Sequence, residues 1–516
     1  MSKTTCWFLL AAILAITTFL TNLRLHGGHV FFGDTAQLYL ILEHLHQGIG
    51  AYNPVQPSVI DFQMTSNLGN MAPVDICAAD LNAHPYLNSQ YNHFKFHSYF
   101  ILYPISFLLS IFSTEYTINW INFFAFTSFI FIIFYILQEN KVNKIYSILI
   151  VFLVSLHPCW SWAIQGQPYV DRWYLPFGIL IFYFIQKQKT VLSPAYLLII
   201  LSSLLVEKVL IYNALFISIY SILFYKDKNI FLSRIFIGLI SLILFYILVH
   251  YYIVNGYYSS AIPTSFGALI SNLSYPGALN GAISLIVVNL PFLLPALFFR
   301  PKLFLIAVAL LVPNLIGNIG GAEKIGFMTH YHTLYFPFVT YAFICSAATI
   351  YQKYNKLGKR ILILGYITLS SYLYSHVNFK SDNTITIVRN FNLVYLSDFY
   401  NDFVIKRKQY NEKEIIQASI PPNAMISSVE QGMVFAYKNI DLHIYPLNLE
   451  KADFLVLQYR LDNSKYTYSG YFGYLGQEHN NKVDACLQPR LDKSFDTKSP
   501  IILNQSLALL KRRQAQ

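Results

Sequence analysis

The sequence is poor in charge: only 12% of its 516 residues are Asp, Glu, Lys or Arg, whereas an average soluble domain carries about 25%. Hydrophobic residues make up 55% of the chain, and a water-soluble fold could not enclose so large an apolar fraction. The 42 Phe and 40 Tyr often stand at the ends of apolar runs, where aromatic rings settle at the headgroup level of a bilayer. The composition therefore predicts a protein embedded in a lipid bilayer.

Cysteine is scarce as well. The five cysteines stand singly, with no CxxC pair and no metal-ligand spacing. Cys77 and Cys486 could pair in an oxidising compartment, but isolated free thiols are the favoured interpretation.

A site for signal peptidase is also missing, because no small residues follow the first apolar run at 6–20. We predict an uncleaved first span with a cytoplasmic N-terminus. The net charge of +11 could suggest a nucleic-acid partner, but the basic residues form short clusters between apolar segments rather than one basic face. We therefore expect no nucleic-acid partner.

Apolar segments that could cross a bilayer, which takes about 20 residues each, recur along the chain. They lie at 6–23, 96–113, 117–137, 144–157, 173–186, 191–206, 209–225, 230–253, 279–299, 302–316, 333–351 and 361–377. Short basic loops follow every second segment, as cytoplasmic loops do. These loops contain Lys141/Lys144, Lys187/Lys189, Lys226/Lys228, Arg300/Lys302 and Lys353/Lys356/Lys359/Arg360.

With a cytoplasmic N-terminus, loop 24–95 lies outside and the Lys141/Lys144 loop should lie inside, so an odd number of crossings must separate them. The sequence has two apolar segments between these loops. We therefore predict that segment 96–113, interrupted by Pro104, is a re-entrant or half-length element. The alternative is that Lys141 and Lys144 break the charge rule. The fold class is then an all-α polytopic membrane protein of 11 to 13 spans in the cytoplasmic (inner) membrane, with a transmembrane domain at 1–377.

The tail from 378 to 516 has a different, more polar composition, and we predict a small extracytoplasmic α/β domain. Residues 383–417 are typical of an amphipathic helix, which Pro421 and Pro422 end. Strand-like runs follow at 424–429, 442–447 and 453–459, around a short helical stretch at 430–437.

The stretch FFGDTAQLYLILEHLHQGIGAYNP at 31–54 places Asp34 just after the first span, at the start of an amphipathic helix. This opening resembles that of GT-C-fold glycosyltransferases, among them dolichyl-phosphate-mannose mannosyltransferases and aminoarabinose transferases. More closely, the chain resembles an uncharacterised bacterial family of predicted membrane proteins grouped near that superfamily.

Further short motifs, spread from about 31 to about 460, carry the closer resemblance. They are Asn92-His93-Phe94, Val206-Glu207-Lys208, Thr329-His330-Tyr331-His332, Ile420-Pro421-Pro422-Asn423-Ala424, Ile444-Tyr445-Pro446 and Ala452-Asp453-Phe454-Leu455-Val456-Leu457. Two departures put roles in doubt: Asn92 replaces an acid, and Glu207-Lys208 stands where the family has Lys-Glu-Asp.

The resemblance implies transfer of a sugar from a polyprenyl-phosphate donor to an acceptor on the outer face, with inversion at the anomeric carbon. Such a reaction needs a base for the acceptor hydroxyl and cations for the departing phosphate. Asp34 is the candidate base, and the alternative is that it only caps its helix. Arg172, Lys208 and Lys324 are the candidate phosphate ligands, although snorkelling at helix ends is the commoner fate of such residues.

The histidines allow two interpretations. His93 with Asp34 could hold a divalent cation such as Mg²⁺ or Mn²⁺, and His330, Tyr331 and His332 could contact substrate. Hydrogen bonding of interfacial histidines to lipid or loop backbone is the favoured alternative. Glu207 is costly in lipid, so we expect it to face a polar cavity or to pair with Lys208.

No GxGxxG, P-loop or DxD-like motif stands at a credible place, which disfavours a soluble nucleotide-sugar donor. The acceptor stays open among a lipid, an envelope glycan and a protein. Three rival functions also stay open: a transporter or flippase of lipid-linked saccharides, an enzyme like the O-antigen polymerases, and an inactive membrane scaffold.

Overall fold

The computed structural model describes a chain that is mostly helical, with a small sheet near its C-terminus. The described residues are 3–26, 34–53, 92–155, 157, 169–187, 193–225, 227–253, 278–316, 330–354, 366, 377–379, 385–387, 420–421, 423–429, 441–462, 465–470, 477–503 and 507–513. They form two compact units. The first comprises Met1–Asn22, Phe94–Ile101 and Ile118–Phe399, and the second comprises Leu23–His93, Leu102–Thr117 and Tyr400–Gln516.

The helices among the described residues belong to both units. In chain order they are α1 (Lys3–His26), α2 (Asp34–His46), α3 (Leu102–Ser106), α4 (Thr114–Glu139), α5 (Lys144–Ser155), α6 (Tyr174–Lys187), α7 (Pro194–Ser203), α8 (Lys208–Phe224), α9 (Lys228–Ile247), α10 (Ala278–Phe299), α11 (Pro301–Ile316), α12 (Phe336–Lys353) and α13 (Gln477–Ser494). Short 3₁₀ turns at His93–Lys95, Phe107–Ser110, Val170–Trp173 and His330–Thr333 accompany them.

Two helices among the described residues are long and apolar enough to cross a bilayer: α4, and α9 with the π turn that extends it to Tyr252. Several other predicted spans coincide with shorter apolar helices. The ten residues of α7 rise only about 15 Å, half of the roughly 30 Å hydrocarbon core. Ser193 caps the start of α7, and the helix ends at Ser203. The number of spans therefore stays a prediction.

Segment 96–113 folds as the short helix α3 followed by the Phe107–Ser110 turn. This broken structure agrees with the predicted half-length element, because neither piece approaches the length of a span. The predicted segment 361–377 lies outside the described residues apart from Tyr366 and Val377.

The basic loops of the first unit meet at one end of its helix bundle. Side-chain contacts join them in pairs: Lys187 Nζ to Glu139 Oε2 (2.6 Å), Gln352 Nε2 to the Asn140 carbonyl (2.8 Å), Tyr225 Oη to the Ile185 carbonyl (3.2 Å), Lys302 Nζ to the Leu223 carbonyl (2.7 Å) and Arg300 Nε to Thr349 Oγ1 (2.9 Å). The sequence predicted that these loops share a side, and the contacts agree. Because α6, α8 and α12 end there, their amino ends lie at the opposite end of the bundle.

Helices α6 and α12 pack closely at a glycine. A Cβ atom at Gly178 would stand 2.9 Å from both Cβ and Cγ of Pro337, so only glycine allows this approach. The Phe182 ring stacks on Tyr341 with centroids 4.2 Å apart and also meets Phe338. The contact aligns the two helices whose amino ends carry polar turns.

Substituting Gly178 with alanine should destabilise the first unit by about 1–3 kcal/mol, because the rigid Pro337 ring cannot rotate away. Gly238→Ala is the matched control, since its Cβ would meet Ser218 Oγ, which a change of rotamer can move. Thermal unfolding in detergent would compare the two variants. Equal unfolding midpoints for the two variants would show that the close contact between Gly178 and Pro337 does not require glycine.

In the part of the chain that the structure describes, the sheet of the second unit has six strands. The described strands are β1 (Val377–Phe379), β2 (Ile385–Ile387), β3 (Ile426–Ser428), β4 (Leu442–Ile444), β5 (Phe454–Asp462), β6 (Lys465–Ser469), β7 (Ile501–Ile502) and β8 (Leu507–Lys511). The order is β4-β3-β5-β8-β7, with β6 also pairing with β5. Strand β3 runs parallel to β4 and β5, and the other pairs are antiparallel. Helix α13 buries Val483, Leu487 and Leu491.

The three strands predicted in the tail are confirmed as β3, β4 and β5. The helix predicted over 383–417 is wrong at its start, because β2 occupies Ile385–Ile387 and pairs with β1. The β-branched residues Ile385, Thr386 and Ile387 favour a strand. The rest of that stretch and the helix predicted at 430–437 lie outside the described residues.

The preference for free thiols is wrong for Cys486, which is disulfide-bonded. Cys345 is free and buried in α12.

Candidate functional site

Polar side chains gather at the amino ends of α6 and α8, opposite the basic loops. The Val170–Trp173 turn leads into α6 and packs against the His330–Thr333 turn that precedes α12. Glu207 and Lys208 stand at the start of α8. We define the amino-end cluster as His97, Asp171, Arg172, Glu207 and Lys208. Three of the predicted site residues, Arg172, Glu207 and Lys208, therefore come together here, beside the turn that contains His332.

Glu207 is fully buried, and both of its carboxylate oxygens are engaged. Oε1 lies 3.2 Å from His97 Nδ1, and Oε2 accepts hydrogen bonds from the Ser98 backbone N–H (2.9 Å) and the Ser98 hydroxyl (3.2 Å). The backbone N–H of Ile101 donates to the Leu204 carbonyl at 2.9 Å and ties the same two segments together. Glu207 thus holds the chain that follows Phe96 against the start of α8.

Asp171 is buried completely, and that burial raises the pKa of its carboxyl from 3.8 to about 6. The positive charge of Lys208, and then His97, oppose the rise, while the Glu207 carboxylate adds to it. Desolvation dominates because the charged form loses its hydration inside the protein. The Asp171 carboxyl is therefore protonated in mildly acidic solution.

Arg172 is 2% exposed and is held by protein groups on several sides. Its Nη1 donates to Asn122 Oδ1 at 2.6 Å, and its guanidinium lies 5.7 Å from the Phe126 ring centroid and 5.6 Å from that of Tyr169. Lys208 is equally buried. Neither residue snorkels to the surface, so the commoner fate expected for such cations does not apply to them.

Asp171→Asn should flatten the pH dependence of stability. A carboxyl whose pKa is raised by folding contributes stability that is complete below pH 3.8 and is lost as the pH rises through about 6. The shift of about two units corresponds to at most about 3 kcal/mol. Unfolding between pH 4 and 7.5 should show the variant as stable as wild type at pH 4 and more stable at pH 7.5.

Asp227→Asn, at an exposed cap of α9, is the control for that experiment, since asparagine caps a helix as well as aspartate does. If the stability of wild type and that of Asp171→Asn changed in parallel with pH, the raised pKa of the Asp171 carboxyl would be contradicted.

A second polar group lies within the second unit, beside α2. Asn53 Nδ2 donates to Gln37 Oε1 at 3.1 Å and lies 2.9 Å from His93 Nδ1, and all three side chains are buried. His44 Nδ1 donates to the Tyr52 carbonyl at 2.7 Å. His93, predicted to bind substrate or metal, thus contacts Asn53 and helps hold the 51–53 segment along α2.

Asp34 is the first residue of α2, but its side chain lies outside the described part of the chain. Among the described residues, no group of three or more His, Cys, Asp or Glu is placed to hold a metal ion. The predicted divalent-cation site at Asp34 and His93 stays a prediction, because it depends on a side chain that is not described.

The remaining predicted residues are described only in part. Lys324 and the side chains of His330 and Tyr331 lie outside the described residues. His332 is buried, and its ring meets that of Tyr335 edge-on, with centroids 5.7 Å apart.

Sequence reasoning missed three contributors to the amino-end cluster. His97, Asp171 and Asn122 were not among the candidate site residues predicted from the sequence. The adjacent acid and base at 171–172 were a usable signal, but the pairing of Glu207 with residues 97 and 98 joins positions about 110 apart in sequence.

No family model matches this sequence, and no curated protein matches it either.

Proposed function

We propose that this protein is a polytopic GT-C-type membrane glycosyltransferase that moves a sugar from a polyprenyl-phosphate donor to a cell-envelope acceptor on the outer side of the cytoplasmic membrane. The observation that carries the proposal is the amino-end cluster: two buried cations beside a carboxyl whose charge burial disfavours, at the end of the bundle opposite the basic loops.

The charges of the cluster suit one phosphate group. Arg172 and Lys208 contribute two positive charges, and the negative charge of Glu207 is engaged by His97 and Ser98. The pKa of Asp171, about 6, means that its carboxyl can take up a proton when an anion approaches. The cluster is then net positive, and the Arg172 guanidinium can bind phosphate through two parallel hydrogen bonds.

A lipid-linked donor fits the apolar surface of the first unit. Helix α9 exposes large apolar side chains, among them Leu232, Phe236, Leu239, Ile243 and Tyr246. Exposed apolar surface of this extent is typical of a protein that meets lipid or another apolar partner. Basic loops gathered at one end agree with a cytoplasmic side there, and 11 to 13 spans are proposed.

The disulfide at Cys486 supports an extracytoplasmic tail, because disulfides persist in oxidising compartments. For the first unit, a cytoplasmic side at the basic loops would place the amino-end cluster, which lies at the opposite end of the bundle, on the outer side.

In this proposal Asp34 accepts the proton of the acceptor hydroxyl, and Arg172, Lys208 and Lys324 bind the donor phosphate. We propose substrate contacts for His93, His330, Tyr331 and His332. Glu207 would act by holding His97. A divalent cation at Asp34 and His93 would add positive charge beside the reacting groups. The acceptor can be a lipid, a glycan or a protein.

Transfer of label would test the function. Membranes containing the protein should move sugar from at least one labelled polyprenyl-phosphate donor to envelope material and should leave soluble nucleotide sugars unused. Membranes lacking the protein set the background. If no donor is consumed, while labelled lipid-linked saccharide crosses the bilayer of sealed vesicles, the protein is a transporter or flippase. If neither process occurs, an inactive scaffold is the better description.

A further inference from the structure

His97 is placed by the carboxylate of Glu207. The two side chains approach within 3.2 Å, between His97 Nδ1 and Glu207 Oε1, and Glu207 is fixed independently by both hydrogen bonds from Ser98. The Glu207 side chain is inaccessible, whereas that of His97 is 12% exposed. The imidazole therefore forms the accessible end of a carboxylate–imidazole pair.

The pairing determines which ring nitrogen exchanges protons. A carboxylate oxygen can only accept a hydrogen bond, so Nδ1 of His97 carries a proton in the pair. Nε2 is then the ring nitrogen through which His97 can exchange a proton with a bound molecule. A buried carboxylate orients an imidazole in the same manner in serine hydrolases.

The pair lies among groups suited to a phosphate. Lys208 follows Glu207 directly, and both Lys208 and His97 act electrostatically on Asp171, which is buried in the turn before α6. The His97 ring stacks on Tyr99, with centroids 5.2 Å apart. Among the described residues, the charged and titratable neighbours of His97 include Glu207, Lys208, Asp171 and Tyr99.

We propose that His97, held by Glu207, is the general acid that protonates the departing phosphate of the donor; this role rests on the proposed glycosyl transfer. The bond between the anomeric carbon and the phosphate oxygen breaks, and its electron pair stays on that oxygen. The oxygen takes the proton from Nε2 of the His97 imidazolium. The acceptor oxygen forms the new bond to the anomeric carbon, and its proton passes to the general base of the proposed transfer.

A departing phosphate gains from protonation. A phosphate monoester takes up its second proton near pH 6, so a positioned acid can protonate the oxygen as negative charge develops on it. A buried site that already contains one carboxylate would also release a singly charged phosphate more readily than a doubly charged one.

His97→Asn should lower the turnover rate by about 10²–10⁴-fold, the usual contribution of a general acid, with a smaller change in KM for the donor. Glu207→Gln should lower it by about 10–100-fold, as loss of an orienting partner does. Both losses should shrink with a dinitrophenyl glycoside of the same sugar as donor, because its departing oxygen is far less basic than that of a phosphate monoester and needs no protonation. His46→Asn, exposed at the end of α2, is the matched control.

A measurement that does not depend on turnover shows whether the His97–Glu207 pair forms, and so separates a loss of activity from misfolding. Protein labelled with ¹⁵N-histidine in detergent should show His97 as the neutral tautomer protonated at Nδ1 at high pH. Glu207→Gln should lose that preference, because an amide can accept from Nδ1 or donate to it.

The outcomes distinguish the general-acid role of His97 from the proposed glycosyl transfer. Active wild type with an unimpaired His97→Asn variant would overturn the general-acid role and leave the glycosyltransferase standing. An equal loss with both donor types would reduce His97 to a structural residue. Absence of transfer by wild type from every donor would overturn both proposals, while the tautomer would still report whether the pair forms.

Discussion

Membranes containing Asp34→Asn should transfer about 10²–10⁴-fold less labelled sugar than wild type, since removal of a positioned base costs about that much. Asparagine has nearly the same shape and can still cap α2, which begins at residue 34. It cannot accept a proton near neutral pH. A loss of transfer at equal protein amount would therefore assign a proton-accepting role to Asp34 rather than a capping role.

The matched control for that variant is Asp227→Asn. Asp227 caps α9 by accepting hydrogen bonds from the backbone N–H groups of Asn229 and Ile230, so it undergoes the same chemical change at a helix start near the basic loops. We expect wild-type transfer from it. Full transfer by Asp34→Asn would contradict the proposed base. If lipid-linked saccharide crosses the membrane at the same rate in wild type and in Asp34→Asn, the flippase is favoured.

Arg172→Met should reduce transfer by about 10²–10³-fold, the usual cost of removing one preorganised group that stabilises transition-state charge. Methionine keeps much of the apolar volume between the Phe126 and Tyr169 rings but loses the charge and the hydrogen bond to Asn122. Arg172→Lys should keep part of the activity, because lysine restores the charge without the planar fork. Initial rates over a range of donor concentrations would measure these effects.

Arg300→Met controls for loss of one cation, because Arg300 is exposed at the basic end and donates to Thr349. Thermal unfolding of each variant would separate stability from function. Removal of Arg172 leaves the buried Asn122 carbonyl without this donor, a loss that costs about 1–3 kcal/mol. If Arg172→Met transferred sugar at the wild-type rate, or lost activity only in proportion to unfolded protein, Arg172 would be a structural residue.

Several elements could be predicted from local pattern. Strands β3, β4 and β5 follow from short β-rich runs between turn residues, and the apolar helices follow from uninterrupted hydrophobic stretches. The predictions failed where local preference was weak or ambiguous. Ile385–Ile387 form strand β2 rather than part of a helix, and α7 ends after ten residues although apolar residues continue beyond it.

The candidate site was predictable in its charged members and not in their arrangement. Arg172, Glu207 and Lys208 stand out because charge is rare between apolar segments. His97 did not stand out, because its role depends on the contact with Glu207, which is about 110 positions away in sequence. Asp171 did not stand out either, because its burial depends on the tertiary fold. Burial, which raises the pKa of Asp171, depends on how many segments pack around it, and neighbouring residues in sequence do not reveal that number.

By itself the sequence determined the mostly helical architecture, the small C-terminal sheet and the grouping of the basic loops, because each depends on composition or short-range periodicity. Only the tertiary structure decided that the starts of α6 and α8 share one polar cluster, that Glu207 holds His97 and that Arg172 and Lys208 are buried. The physical reason is that desolvation and hydrogen bonding act over a few ångströms in space, between residues that the chain separates by as many as about 110 positions.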